Sequence, residues 1–342
     1  MTSLAETLDR LVSVEFRRDG ALDGMIDPIY RALRKEIEEP LVWRAATLLN
    51  RALRQPGVIY ITIGQPTPKI MPAGLTDGPP GAAVLARALT LCGSGPVVIL
   101  TEEATQAVTR AACQAMGVQV RHYQRNVSLP RSVSVDTFPI DRRAAESRAR
   151  ELVAHAVAVI AIDKIGPGRD GRYYTGHGTD ISNHLCKVDL LFDAVRGKGG
   201  VTIGIGDFGN EIGLGAAAAV MAKGLVTDDR MACTVTSDGP IVAGCGNWGA
   251  YGIVAALAAM NLNHALLHAA EEERATIIAC CRAGAVDGMS TAPTLEVDGA
   301  GWATHAAFVR LLRDLTALAI SRKPLDGDAA ADHPGHEGSK VR

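Results

Sequence analysis

From residue 57 onward, short β-rich apolar runs alternate with helical stretches, and no other feature of this chain narrows its fold as much. The runs lie at 58–63, 97–100, 118–122, 157–162, 201–205 and 241–244. Helical spacing covers about 80–91, 104–116, 142–154, 190–196, 210–223 and 249–259, with closing helices at 271–283 and 303–319. Strands that are apolar throughout need cover on both faces, and helices between them supply the crossovers of a parallel sheet. The pattern therefore predicts the α/β class: a doubly wound, mostly parallel sheet with helices on both faces. Residues 1–55 repeat apolar side chains at helical spacing instead (Leu4, Leu8, Leu11; Ile29, Leu33, Ile37; Leu41, Ala45, Leu48), punctuated by Pro40 and Pro56. They form an N-terminal helical extension to an α/β domain over 56–320. Residues 321–342 are poor in apolar side chains and are expected to be a disordered tail.

Composition removes several classes of function. A formal net charge of -2 gives no reason to expect nucleic acid or an anionic membrane surface as partner. Aromatic residues, at 4%, are too scarce for a base-stacking platform. The apolar stretches are too short to span a bilayer, and no apolar leader region follows the start. Seven scattered cysteines without a Cys-x-x-Cys pair fit reduced, cytoplasmic usage. The N-terminal helices are expected either to cover the sheet or to make a homo-oligomer contact.

In open α/β sheets, ligands bind beyond the carboxyl ends of the strands. Four polar loops fall there: 62–65 leading to Thr76-Asp-Gly-Pro-Pro-Gly, Asp163-Lys164 leading to the 168–182 loop, the turn at 206–215, and Cys245-Gly-Asn-Trp-Gly-Ala-Tyr. The 206–215 turn is glycine-dense yet carries Asp207, Asn210 and Glu211. Polar groups of that kind are costly beside a core unless paired, ligated or used. Gly204-Ile-Gly-Asp-Phe-Gly matches the letters of a dinucleotide fingerprint. Its late position and its carboxylates, where pyrophosphate would need a free helix N-terminus, argue against that use. A bland alternative makes Asp207 or Asn210 a helix cap, with Glu211 favourable to the dipole.

Candidate binding groups come from the other loops. Asp77 and Gly78 sit at a helix start able to hold an anion, Lys164 is placed to grip a carboxylate, and Asn247 can read an amide or cap a helix. His177, between two glycines, and Asp180, on a returning loop, are candidate acid or base groups. No Cys/His zinc cluster, nucleophile elbow or P-loop is present. An oxygen-ligand site for Mg²⁺ or Mn²⁺ built from Asp77, Asp180, Asp207 and Glu211 stays open.

Taken together, Thr76-Asp-Gly-Pro-Pro-Gly-Ala-Ala, Asp163-Lys164 with its loop, Gly206-Asp-Phe-Gly-Asn-Glu-Ile-Gly-Leu-Gly and Gly246-Asn-Trp-Gly-Ala-Tyr resemble the D-glutamate cyclase-like family. The similarity runs in the same order from about residue 56 to 318. It implies cyclisation of D-glutamate to 5-oxo-D-proline with loss of water, or the reverse, and a small acid or cyclic amide as substrate. Phe208 departs from the family's usual glycine, and Asp163-Lys164 from its usual Glu-Arg. An apolar wall at Phe208 suits hydrolysis of another small cyclic amide (a lactam, imide or hydantoin), and a non-catalytic small-anion sensor is a third reading.

Lactam formation needs a neutral amine, a polarised γ-carboxyl and a held conformation. Asp207 and Glu211 are the expected acid/base pair, with Asp180 as a further acid or base. Lys164 and the amides near Gly78 are expected to hold the α-carboxylate; Asn210 and Asn247 are expected to polarise the reacting carbonyl.

Overall fold

The computed structural model describes residues 2–17, 24–93, 95–122, 131–220 and 229–321. Seven parallel strands form its centre: β1 (Val58–Thr62), β2 (Val97–Thr101), β3 (Gln119–Val120), β4 (Ser132–Thr137), β5 (Ala156–Ile162), β6 (Val201–Gly206) and β7 (Gly239–Val242). Their order is β3-β4-β2-β1-β5-β6-β7. From β1 the chain runs to β2, then to the edge strand β3 and back to β4 between them, before returning to the other side of β1 and winding outward through β5, β6 and β7. Ile59 pairs with Val97 on one side and Ala158 on the other.

Alternation along the strands sorts side chains between two apolar layers. Ile59, Ile61, Ile63, Ile99, Ile160, Ile162, Ile203 and Ile205 enter one core, beneath helices α3 (Leu41–Ala52), α4 (Pro79–Leu91), α5 (Gln106–Ala115) and α8 (Gly246–Met260). Tyr60, Val98, Leu100, Val159 and Ala161 enter the other, beneath α6 (Arg142–Val153) and α7 (Asp189–Gly197). Helices α9 (Ala270–Arg282) and α10 (Trp302–Ser321) form an outer layer over α5 and α8. A two-residue hairpin, β8 (Glu296–Val297) and β9 (Ala300–Gly301), precedes α10.

Helices α1 (Thr2–Val12) and α2 (Ile26–Glu36) do not stand apart, since Leu8, Val12, Ile29 and Leu33 share the core of α3 and α8. Buried Asp9 ties them together by accepting from the Leu41 and Val42 amides at 2.8 Å, capping α3 from another helix. Helix α8 is buried along all but its last residue. Its Gly and Ala side chains leave room for α4 and α3 to approach closely.

Two local readings need correction. Residues 210–223 were expected to be helical, but 210–214 stay irregular, bridging Ile165 and Thr236, before a tight turn at Gly215–Ala217; Ala218–Val220 is helical, and 221–223 lie outside the described residues. Gly213, at φ +103°, lies outside helical backbone and ends any helix there. Strand β4 was not anticipated, because Ser132 and Ser134 thin out its apolar pattern even though both are buried. Ser321 belongs to α10, and the rest of the expected tail lies outside the described residues. No helix among the described residues is long and apolar enough to cross a membrane.

Candidate active site

The sheet order reverses between β1 and β5, and their carboxyl ends open into a cleft of about 100 Å³. Gln65 after β1, Asp163 after β5, and Asp207, Phe208, Asn210 and Glu211 after β6 line it. Met71, Leu75 and Met289 form apolar wall beside Phe208, and Thr175, Gly176 and His177 form part of its edge.

The turn after β6 is folded around Glu211. Its carboxyl accepts from the amides of Asp207 (3.2 Å), Phe208 (3.0 Å) and Gly209 (2.7 Å). A Cβ on Gly206 would stand 2.5 Å from Glu211 Oε2, so a glycine is required where the side chain folds back. Gly209 adopts φ +95° within the same turn. The letters of the dinucleotide fingerprint thus enclose a carboxyl group, and no helix begins at their end.

Five buried carboxyl groups converge here: Asp77, Asp163, Asp207, Glu211 and Asp298. Burial pushes Glu211 up to about 8, helped by the charge of Asp207, with which it shares a hydrogen bond. Burial and Asp207 also push Asp77 up to about 7. Asp163 and Asp298 are held well above the usual carboxylate range by burial and by their acidic neighbours. Such a cluster stores protons near neutral pH, because adjacent carboxylates cannot all ionise in a place shielded from water. Gln65 donates to Asp163 Oδ2 at 2.5 Å, and Asp163 itself takes a left-handed backbone, φ +45°.

Among the described residues lining the cleft, Arg17 is the one lysine or arginine. Its Nη1 donates to Asp207 Oδ2 and its Nη2 to the Asp207 carbonyl, both at 3.0 Å. Asp207 and Asp298 outweigh the cost of burial and keep the guanidinium charged. Asp298 occupies the turn between β8 and β9, with Asp298 at φ +51° and Gly299 at +77°. His305 on α10 holds this hairpin: Nδ1 accepts from the Trp248 indole at 3.0 Å, so Nε2 carries the proton toward the Val297 and Ala300 carbonyls. Trp248 is in turn stacked on Phe308.

Sequence reasoning did not single out Arg17, Gln65 or Asp298. An Asp-Gly pair between apolar residues is a hairpin signal that could have located Asp298. Nothing local marks Arg17.

Of the remaining expected residues, Asn210 and His177 line the cleft, and Asp77, Gly78, Lys164, Asp180 and Asn247 do not. Asp77 accepts from the Gly246 and Asn247 amides at 2.6 and 2.8 Å. Asn247 Oδ1 accepts from Gly78 and Gly81 at 3.0 and 2.7 Å, and its Nδ2 donates to the Thr76 carbonyl at 3.1 Å. The two residues cap each other's helices, so the Gly78 amide is already spent and fully buried Asn247 does not reach the cleft. Lys164 is also fully buried and turns away, to Glu102 and to the Gly64 carbonyl at 2.9 Å. Glu102 further accepts from the Cys186 amide at 2.8 Å. A charge buried this way needs its partner and has none to spare for a ligand. Asp180 is exposed and bonded to Arg172 at 3.0 Å and to Ser182, outside the cleft. Asn210 lines the cleft while its amide donates to the Tyr174 carbonyl at 2.8 Å. His177 lies exposed at the rim.

One carboxyl oxygen from each of Asp77, Asp163 and Asp207 lies within 4.8 Å of the other two. Of the expected oxygen-ligand residues, Asp77 and Asp207 belong to this grouping and Asp180 and Glu211 do not. Glu211 is turned into its own backbone nest.

Comparison with known proteins agrees with the motifs. The family described as D-glutamate cyclase-like, C-terminal, matches residues 25–313. The mitochondrial D-glutamate cyclase of Homo sapiens is 27% identical over 234 residues, covering 68% of this chain. The aligned stretch is 37% of that relative's length.

Proposed function

The chain belongs to the D-glutamate cyclase-like family, and from that premise we propose that it interconverts D-glutamate and 5-oxo-D-proline plus water. The observation that carries this reading is the pairing of a proton-holding Glu211 with an ion-paired Asp207 in one small cleft. In ring closure the amine nitrogen bonds to Cδ while the γ-carboxyl loses an oxygen as water. Asp207 takes one proton from the ammonium group, so that the neutral amine attacks a γ-carboxyl that enters protonated. Glu211 delivers a proton to the departing hydroxyl, which leaves as water, and then takes the second proton from the nitrogen, while Asp207 returns its proton to solvent. In the reverse direction the same two groups exchange roles.

A cleft of about 100 Å³ restricts the substrate to a small molecule that is folded on entry. Holding N against Cδ is a large share of the task, since positioning can remove roughly 7 kcal/mol or more of a barrier. Phe208, Met71, Leu75 and Met289 supply a wall for the methylene carbons of the substrate.

The donor set also suits a hard divalent cation such as Mg²⁺ or Mn²⁺. Asp77, Asp163 and Asp207 would hold it, and mutual repulsion among these carboxylates is what such an ion relieves. When bound, the ion polarises a substrate carboxyl as a Lewis acid.

The test is incubation with D-glutamate and, separately, 5-oxo-D-proline, with mass spectrometry for gain or loss of one water. Asp207→Asn and Glu211→Gln should each abolish turnover with the fold retained. If both variants keep wild-type rates, the assignment is wrong. The apolar wall also favours a second reading, hydrolysis of another small cyclic amide. Turnover of a hydantoin or imide, without turnover of 5-oxo-D-proline, selects it. Binding of these compounds without any change in mass would support a small-anion sensor.

A further inference from the structure

We propose that Arg17 is a positioning residue for Asp207, and that the segment carrying it, residues 12–17, is part of the site. The proposal rests on the reading of Asp207 as an acting group, and its geometry is independent of that reading. Arg17 lies outside the stretch matched to the family, which begins at residue 25. Its guanidinium nevertheless reaches the end of β6 and grips one residue twice, through Asp207 Oδ2 and the Asp207 carbonyl, each at 3.0 Å. A two-pronged grip on side chain and main chain fixes both the rotamer and the backbone of that residue, as a planar guanidinium does well. Nη1 also lies 4.0 Å from Asp298 Oδ2, a buried atom with no hydrogen-bond partner among the described residues. Arg17 thus stands between the β6 turn and the β8–β9 hairpin.

The segment is seated along the end of β7. The Gly244 amide donates to the Val12 carbonyl at 2.7 Å, and Ser13 Oγ donates to the Val242 carbonyl at 3.0 Å. Phe16 packs on Trp248 at 4.8 Å between ring centres. Gly244 has no space for a Cβ, which would collide with the Val14 carbonyl. These contacts deliver Arg17 to Asp207 from 190 residues away.

The experiment compares Arg17→Met, Arg17→Lys and Arg17→Ala with wild type and Asp207→Asn, using D-glutamate and 5-oxo-D-proline. Arg17→Met should lower kcat about a hundred-fold with little change in KM, the scale expected when a reacting group is misplaced by about 1 Å. Arg17→Lys, lacking the planar fork, should recover only part, and methylguanidinium should partly restore kcat to Arg17→Ala. A folded Arg17→Met enzyme with wild-type kcat, alongside an inactive Asp207→Asn, overturns the proposal. So does a loss confined to KM, which would make Arg17 a substrate anchor. If Arg17→Met does not fold, failure of methylguanidinium to raise kcat in Arg17→Ala overturns it. If wild type turns over neither compound, the proposed reaction fails, and crystal structures of wild type and Arg17→Lys decide this one. A displaced Asp207 carboxylate supports it, and an unmoved one overturns it.

Discussion

Replacing Asn247 with alanine should unfold this protein more readily rather than weaken its hold on a substrate. The side chain is fully buried and makes three hydrogen bonds: two accepted, from Gly78 and Gly81, and one donated, to Thr76. Alanine leaves two amides and a carbonyl unpartnered at the start of α4. A lost N-cap costs about 1 kcal/mol, and each polar group orphaned in the interior about 1–3 kcal/mol. Partial relaxation brings the expected total to about 3–5 kcal/mol. Unfolding entropy near 2.1 cal/mol/K per residue gives roughly 0.7 kcal/mol/K for a chain of this length. Tm should therefore fall by about 4–7 °C. Asn247→Asp adds a sharper check, since a carboxylate accepts both amides but faces the Thr76 carbonyl with an oxygen. Its deficit should shrink at acid pH, where a protonated carboxyl can donate to Thr76. The assay is thermal melting of the three proteins across pH, alongside steady-state kinetics. A Tm for Asn247→Ala within about 1 °C of wild type, together with a raised KM, would refute this reasoning and return Asn247 to the substrate.

Lys164→Met strands Glu102 beside the core and should cost about 3–5 kcal/mol in chemical denaturation; a stability matching wild type counts against the buried pair. Gly206→Ala forces the Glu211 carboxyl out of its backbone nest. It should remove turnover while costing about 1–3 kcal/mol of stability, and full activity would show that the nest geometry is dispensable. Asp77 and Glu211, raised to about 7 and about 8, bind protons more tightly folded than unfolded. Their contribution is complete below the ordinary carboxyl range and is lost as pH rises through those values. Tm in chelator should accordingly decline from about pH 5 to about pH 8, less steeply in Glu211→Gln; equal slopes would contradict the assignment. Mn²⁺ or Mg²⁺ competes with those protons, so the Tm gained on adding either ion should be larger at pH 8 than at pH 6. No gain at either pH removes the cation from the proposal.

Much of this molecule is legible along the chain, and the reasons are local. Apolar runs such as 157–162 and 201–205 are short, unbroken and separated by helical spacing, which leaves a covered parallel sheet as the arrangement that buries them. The strand ends then locate the cleft. The glycine-dense turn at 206–215 announces an unusual backbone, and its carboxylates argue against a phosphate cradle. The sequence by itself therefore determined the sheet and the strand-end edge where the cleft opens, with Asp207 and Glu211 lining it.

What a side chain points at is set by neighbours far along the chain. Lys164 follows a strand end as a ligand-gripping lysine would, yet Glu102, from the end of β2, takes its charge. Asn247 and Asp77 look like groups for reading a substrate, but α4 and α8 begin side by side, and each fills the other's helix start. Arg17 and Asp298 carry no local signal of a shared site and meet only because β7, α8 and α10 bring both ends of the chain to one cleft. Periodicity reports burial, which depends on adjacent residues. Pairing between buried charges depends on the closed tertiary path, and only that path chose which carboxylate Arg17 would hold.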